Sequence, residues 1–171
     1  MRIYHNSRLK QFREPFGAVE TGTKVSLSIE IREGSPDSVR LMVWKGEEVS
    51  PAYYDMNDAG DGMYNAEFSV PEDACLLWYA FEIKARNDRG EEYTVYYGNN
   101  HDGLGGEGNV FDYSPECYQI TVYKKDESPS WYKDGIVYQI FPDRFNRDED
   151  WEERCDKANK SVNERRTDIK S

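Results

Sequence analysis

Apolar and polar residues alternate along most of this chain, and that period leaves little room for anything but β-strands. In "TKVSLSIEIREG", Val25, Leu27, Ile29 and Ile31 point one way, and Ser26, Ser28, Glu30 and Arg32 the other. A repeat of two suits a strand with one wet face, whereas a helix repeats about every 3.6 residues. "SVRLMVWKGEE" does the same, with Val39, Leu41 and Val43 inward and Arg40, Met42 and Trp44 outward, after a turn carrying Gly34 and Pro36. "YYDMNDAGDGMYNAEFSV" reads as a strand, an irregular turn over its Asn, Asp and Gly cluster, and a second strand ending at Pro71. The clearest hairpin is "CLLWYAFEIKARNDRGEEYTVYYG". Leu77, Tyr79, Phe81 and Ile83 share one face, Trp78, Ala80, Glu82 and Lys84 the other, and "NDRG" reverses the chain before Tyr93, Val95 and Tyr97. "CYQITVYKK" is the last strand of the series. Roughly six or seven short strands, with no helical window before Asp148, predict an all-β fold: an immunoglobulin-like antiparallel β-sandwich.

The chain has 171 residues, which suits one domain plus a remnant. Residues 1–125 are read as the sandwich, 126–134, containing "DESPS", as a linker, and 135–171 as a different kind of segment. There "GIVYQIF" carries Ile136, Val137, Ile140 and Phe141 in a nearly continuous apolar run between a Gly and a Pro, the pattern of a strand buried on both faces. "DEDWEERCDKANKSVNERR" can begin a helix with Asp148 or Asp150 as its cap, but its apolar stripe is thin. Fraying and disorder are expected after Asp148.

A formal charge of -11 with no clustered cationic face argues against a nucleic-acid partner. Cys75, Cys117 and Cys155 are too few and too irregularly spaced for a disulfide framework or a zinc site, and read as reduced thiols. "MRIYHNSRLK" lacks an apolar leader core and no segment approaches a membrane span, so a cytoplasmic location away from membranes is expected.

The segment "SPSWYKDGIVYQIFPDRFN" resembles the opening of the catalytic barrel in the α-amylase superfamily, above all in the neopullulanase, cyclomaltodextrinase and maltogenic amylase group. Tyr138, Gln139, Ile140, Phe141, Pro142, Asp143, Arg144 and Phe145 match that family's first barrel strand and the turn leaving it. "FREPFGAVETGTKVSL" and "YYGNNHDGLGGEG" are similar to the sandwich module that precedes the barrel. The resemblance implies a truncated first strand of a (β/α)8 barrel, a fold that needs about 250 residues to close. It also implies a parent enzyme that hydrolyses O-glycosidic bonds in maltodextrins, cyclodextrins or pullulan. Retaining hydrolysis needs two carboxyl groups about 5 Å apart. In the family these lie on later barrel strands, so no residue here takes a catalytic role and the chain alone is expected to be inactive. Asp143 is read as a structural partner of Arg144 or of turn N–H groups. No cofactor is expected. Some relatives bind calcium after this motif, but Arg147 stands where the usual Asn would be, which leaves Asn146, Asp148, Glu149 and Asp150 as a solvated acidic turn.

For the sandwich itself, Trp44 and Trp78 fall on outward faces and the Tyr53 and Tyr54 pair borders a loop. These four rings are candidates for an α-glucan platform, because flat aromatic faces cover the apolar faces of glucose, but core or interdomain packing is the commoner use of such rings. The Gly-rich loop offers Asn99, Asn100, His101, Asp102 and Leu104. The resemblance implies that it contacts the catalytic barrel or a second subunit in a homodimer, restricting access to small glucans. A carbohydrate-binding module and a purely structural interaction domain remain alternatives.

Overall fold

The computed structural model describes residues 1–125, 128–141 and 149–168, with only the backbone for 161–168. They belong to two compact units, Met1–Asp126 and Glu127–Ser171.

The first unit holds twelve strands: β1 (Arg2–Tyr4), β2 (Arg13–Glu14), β3 (Val19–Glu20), β4 (Lys24–Arg32), β5 (Ser38–Lys45), β6 (Ala52–Asp55), β7 (Asn57–Gly60), β8 (Met63–Ser69), β9 (Cys75–Arg86), β10 (Glu92–Gly98), β11 (Asn109–Phe111) and β12 (Tyr118–Tyr123). One sheet runs β1-β4-β8-β7, with β2 also on β4. The other is built on β9, which has β5 along one edge, β10 and β12 sharing the other, β6 beyond β5, β11 beyond β10 and β3 beyond β12. All pairings are antiparallel except β12 with β3. The all-β sandwich expected from the alternation is the fold observed.

The core lies where the inward residues of the two sheets meet. Val25, Leu27 and Ile29 of β4, Leu41 of β5, Leu77, Tyr79, Phe81 and Ile83 of β9, and Ile120 of β12 are buried in one cluster. Each such aliphatic or aromatic side chain stabilises the fold by roughly 1.5–3 kcal/mol relative to exposure.

Three features depart from the sequence reading. β1, β2 and β3 are only two or three residues long, too short for a period to register. The Asn, Asp and Gly cluster expected to be an irregular turn instead contributes β7, and the chain changes sheet at Met56: β6 pairs with β5, β7 with β8. The Met56 N–H bonds the Val39 carbonyl at 2.9 Å, and its side chain enters the core. The turn shrinks to Asp61 and Gly62. Gly62 has a φ of 78°, and a Cβ there would meet the Ile31 carbonyl oxygen at 2.5 Å, so only glycine fits. Third, Met42, Ala80 and Glu82, placed outward by alternation, are nonetheless buried.

The second unit has a single helical turn, α1 (Ser130–Lys133), and a longer helix, α2 (Trp151–Asp168). Gly135 to Phe141, read as the opening strand of a barrel, has no strand assignment, and no strand exists among the described residues of this unit. Ile136, Val137, Tyr138, Ile140 and Phe141 are all more than half exposed. An extended segment gains a ladder only where neighbouring strands take its N–H and C=O groups. In α2, Asp150 occupies the expected cap position, its carbonyl accepting the Arg154 N–H at 3.1 Å. Glu152 and Glu153 sit in the first turn, and Lys157 reaches Glu153 at 2.6 Å. Acids near the N-terminus and an i,i+4 pair favour the helix that the sequence allowed to begin at Asp150.

Candidate functional site

The outer face of the second sheet carries a place where sequence-selected rings converge. Alternation along β5 sends Arg40, Met42 and Trp44 outward, and along β9 Trp78, Ala80 and Glu82. Register then sets Trp44 opposite Trp78, Met42 opposite Ala80, and Arg40 opposite Glu82. On β6, Tyr53 stands opposite Met42, and on β10, Tyr96 stands opposite Glu82. Small or flexible side chains in the middle row are thus ringed by large ones. Met42 is 6% exposed and Ala80 0%, although both belong to the wet face.

The result is a cleft of about 490 Å3 lined by Met42, Trp44, Trp78, Tyr96, Pro115 and Cys117. Both indoles are half-buried. Cross-strand aromatic pairs stabilise a sheet locally, but a pair that also borders an open cleft keeps apolar surface available to a ligand. Burial, with the Glu116 charge adding to it, pushes the Cys117 thiol up to about 11, so it offers no nucleophile at neutral pH. Burial also raises the Tyr96 hydroxyl, and the Glu82 charge adds to this.

Beside the cleft lies an ion pair. Arg40 Nε donates to Glu82 Oε1 at 2.9 Å and a terminal nitrogen donates to the same oxygen. Glu82 is 5% exposed. The Tyr53 ring lies over the guanidinium at 4.2 Å. The hydrogen bond to Glu82 raises the Arg40 pKa further. The Tyr53 and Tyr54 pair therefore divides. Tyr53 joins the outer face, while Tyr54 turns to the core and packs on Phe68 with ring centres 5.3 Å apart.

The Gly-rich loop is tied to its own domain. Asn99 is buried, its Oδ1 accepting the N–H groups of Asn100 at 3.0 Å and Gly105 at 3.1 Å. Asn100 Nδ2 donates to the carbonyls of Gly105 and Glu107, and Asp102 accepts the Leu104 N–H. Ser7 pairs with Gly106 in both directions, and Arg8 donates to the Leu104 carbonyl. His101 meets Phe111 edge-on. Leu104 remains 72% exposed at the tip.

Sequence reasoning missed His5. It is fully buried among the rings of Phe12, Tyr79, Phe81 and Tyr118. Nδ1 lies 2.7 Å from the Ser28 carbonyl, which can only accept, so Nδ1 carries the proton and Nε2 accepts from the Tyr79 hydroxyl at 3.1 Å. Burial holds its pKa down at about 3. No signal marked it, because "MRIYHNSRLK" has no period.

In the barrel-opening motif, Tyr138, Gln139 and Phe141 are exposed, while Pro142, Asp143, Arg144 and Phe145 lie outside the described residues. So do Asn146, Arg147 and Asp148 of the acidic turn. Among the described residues, no group of three or more His, Cys, Asp or Glu is placed to hold a metal, and no helix is long and apolar enough to cross a membrane.

No family model matches the chain. Over 152 residues it is 33% identical to "Amylopullulanase" of Thermoanaerobacter thermohydrosulfuricus, covering 84% of this chain and 10% of that protein. Against "Amylopullulanase" of Thermoanaerobacterium saccharolyticum it is 34% identical over 149 residues, covering 84% of this chain and 11% of the relative. The protein of the same name from Thermoanaerobacterium thermosulfurigenes is 32% identical over 151 residues, 8% of its length. The chain thus spans about a tenth of the length of these curated relatives. They support the relationship to α-amylase-family glycoside hydrolases that the barrel-opening motif implied.

Proposed function

We propose that this chain is the N-terminal, non-catalytic module of an α-glucan hydrolase, and that its outer-sheet cleft holds an α-glucan chain of maltodextrin, cyclodextrin or pullulan type. The observation that carries this reading is the cross-strand pair of Trp44 and Trp78 bordering an open cleft. Apolar ring faces there cover the C–H face of a glucose unit, while neighbouring polar groups take its hydroxyls. Relatives named amylopullulanase supply the sugar class. Its contribution to the parent enzyme is to hold substrate near the barrel.

Titration with β-cyclodextrin, followed by tryptophan fluorescence, tests the reading. Saturable quenching is expected, with at least tenfold weaker binding in Trp78→Ala and in Trp44→Ala. Binding that survives the double variant overturns the assignment.

A second reading rests on Phe16 and Leu104, which are 62% and 72% exposed and line one pocket. Under it, the loop is a contact for the barrel or for a second subunit, restricting access to small glucans in the manner of the neopullulanase group. Sedimentation of wild type against Leu104→Asp measures the dimer contribution. A concentration-dependent dimer lost in the variant supports it.

A further inference from the structure

An ion pair lies beside the cleft. Arg40 and Glu82 face each other across β5 and β9, with Tyr53 on one side and Tyr96 on the other. Arg40, Met42 and Trp44 lie on one face two residues apart. At about 3.4 Å of rise per residue, Arg40 is roughly 14 Å along the strand from Trp44. Tyr96 lines the cleft and is the register partner of Glu82, so the two places share a wall.

We infer that Arg40, Glu82 and Tyr53 form a second subsite for the same glucan chain, continuous with the Trp44 and Trp78 cleft, so that this face takes an oligosaccharide rather than a single sugar. The inference rests on the α-glucan reading above and adds chain-length selectivity to it. Three properties of the group favour a neutral polyol. The guanidinium is balanced by Glu82, with Asp55 its register partner on β6, so no net positive charge remains to select a phosphate or a carboxylate. Both guanidinium bonds go to Oε1 of Glu82, leaving Oε2 outside the pair to accept from a sugar hydroxyl, while the remaining Arg40 N–H groups donate to another. Adjacent hydroxyls on a pyranose present that combination of donor and acceptor. The Tyr53 ring stacked on Arg40 holds the planar fork in place before any ligand arrives, which lowers the ordering cost of binding.

Calorimetric titration of the chain with maltotriose and maltoheptaose separates the two subsites. In wild type, maltoheptaose binds at least tenfold more tightly than maltotriose. Tyr53→Ala, at an exposed position where folding is retained, and Glu82→Gln each reduce that ratio to about two, and Tyr53→Phe restores it. Because Glu82 is buried, thermal melting of the Gln variant accompanies the titration, and the Tyr53 pair decides if that variant unfolds. The Arg40 Nε–H resonance shifts with maltoheptaose and not with maltotriose. A length ratio unaltered in Tyr53→Ala overturns the second subsite while leaving the tryptophan cleft standing. Loss of all binding in Trp78→Ala, with the ratio lost in Tyr53→Ala, supports both. Wild type that binds neither sugar overturns the α-glucan reading and this inference with it.

Discussion

The β4 strand and the segment from Ile136 to Phe141 use the same kinds of side chain, with opposite results. Val25, Leu27 and Ile29 are 0% exposed, whereas Ile136 is 91% exposed and Phe141 58%. In β4 each apolar residue has a facing sheet and each N–H has a neighbour: β8 along one edge, β1 and β2 along the other. The later segment has neither among the described residues of its unit. An apolar run is thus a demand for partners and becomes a strand only where partners meet it.

Paired truncations test that contrast most strongly. Leu27→Ala is expected to cost about 3–5 kcal/mol in denaturant unfolding, the loss typical of a cavity in a packed core. Ile136→Ala should change stability by less than about 0.5 kcal/mol. A substantial cost at Ile136 would show that this segment is packed in solution and would break the contrast.

Cysteine reactivity sharpens it at a somewhat smaller scale. Cys155 on α2 is exposed, whereas Cys117 is half-buried with its thiol pushed up to about 11. Alkylation at pH 8 should label Cys155 about a hundredfold faster, read by mass spectrometry of the peptides. Saturating β-cyclodextrin should slow Cys117 further, since that thiol lines the cleft.

The pH dependence of the sandwich is the third comparison. His5 folds with a pKa of about 3, while the unfolded chain titrates near 6.5. Below about pH 6.5 the unfolded state takes up a proton that the folded state refuses, so this contribution is complete above that pH and is lost as pH falls toward 3. The slope is about 1.4 kcal/mol per pH unit, or about 2 kcal/mol by pH 5. His5→Gln should flatten the melting-temperature profile between pH 6.5 and 4, at some cost in stability at pH 7. An unchanged slope would place the acid sensitivity elsewhere.

Much of the sandwich was legible because strand direction is a local property. The inward residues of β4, β5, β9 and β12 follow from alternation, and so does the outward aim of Trp44 and Trp78. The resemblance of the C-terminal motif was legible too, and relatives named amylopullulanase agree with it. The sheet change at Met56, the burial of Met42 and Ala80 on a nominally wet face, and the histidine inside an aromatic cage were not. Each depends on residues far away in the chain: Val39 for Met56, the ring of Trp and Tyr side chains for Met42, and Ser28 and Tyr79 for His5.

What the sequence determined by itself, then, was the type of element and the side on which each residue lies, because backbone pleat reverses every successive side chain whatever the partner strand. Tertiary structure alone decided who stands opposite whom. Registers of β5, β6 and β10 on their neighbours placed Trp44 against Trp78 and Arg40 against Glu82, with Tyr53 and Tyr96 beside them. Register is set by long-range pairing, and a shift of one residue would turn every one of these side chains to the opposite face.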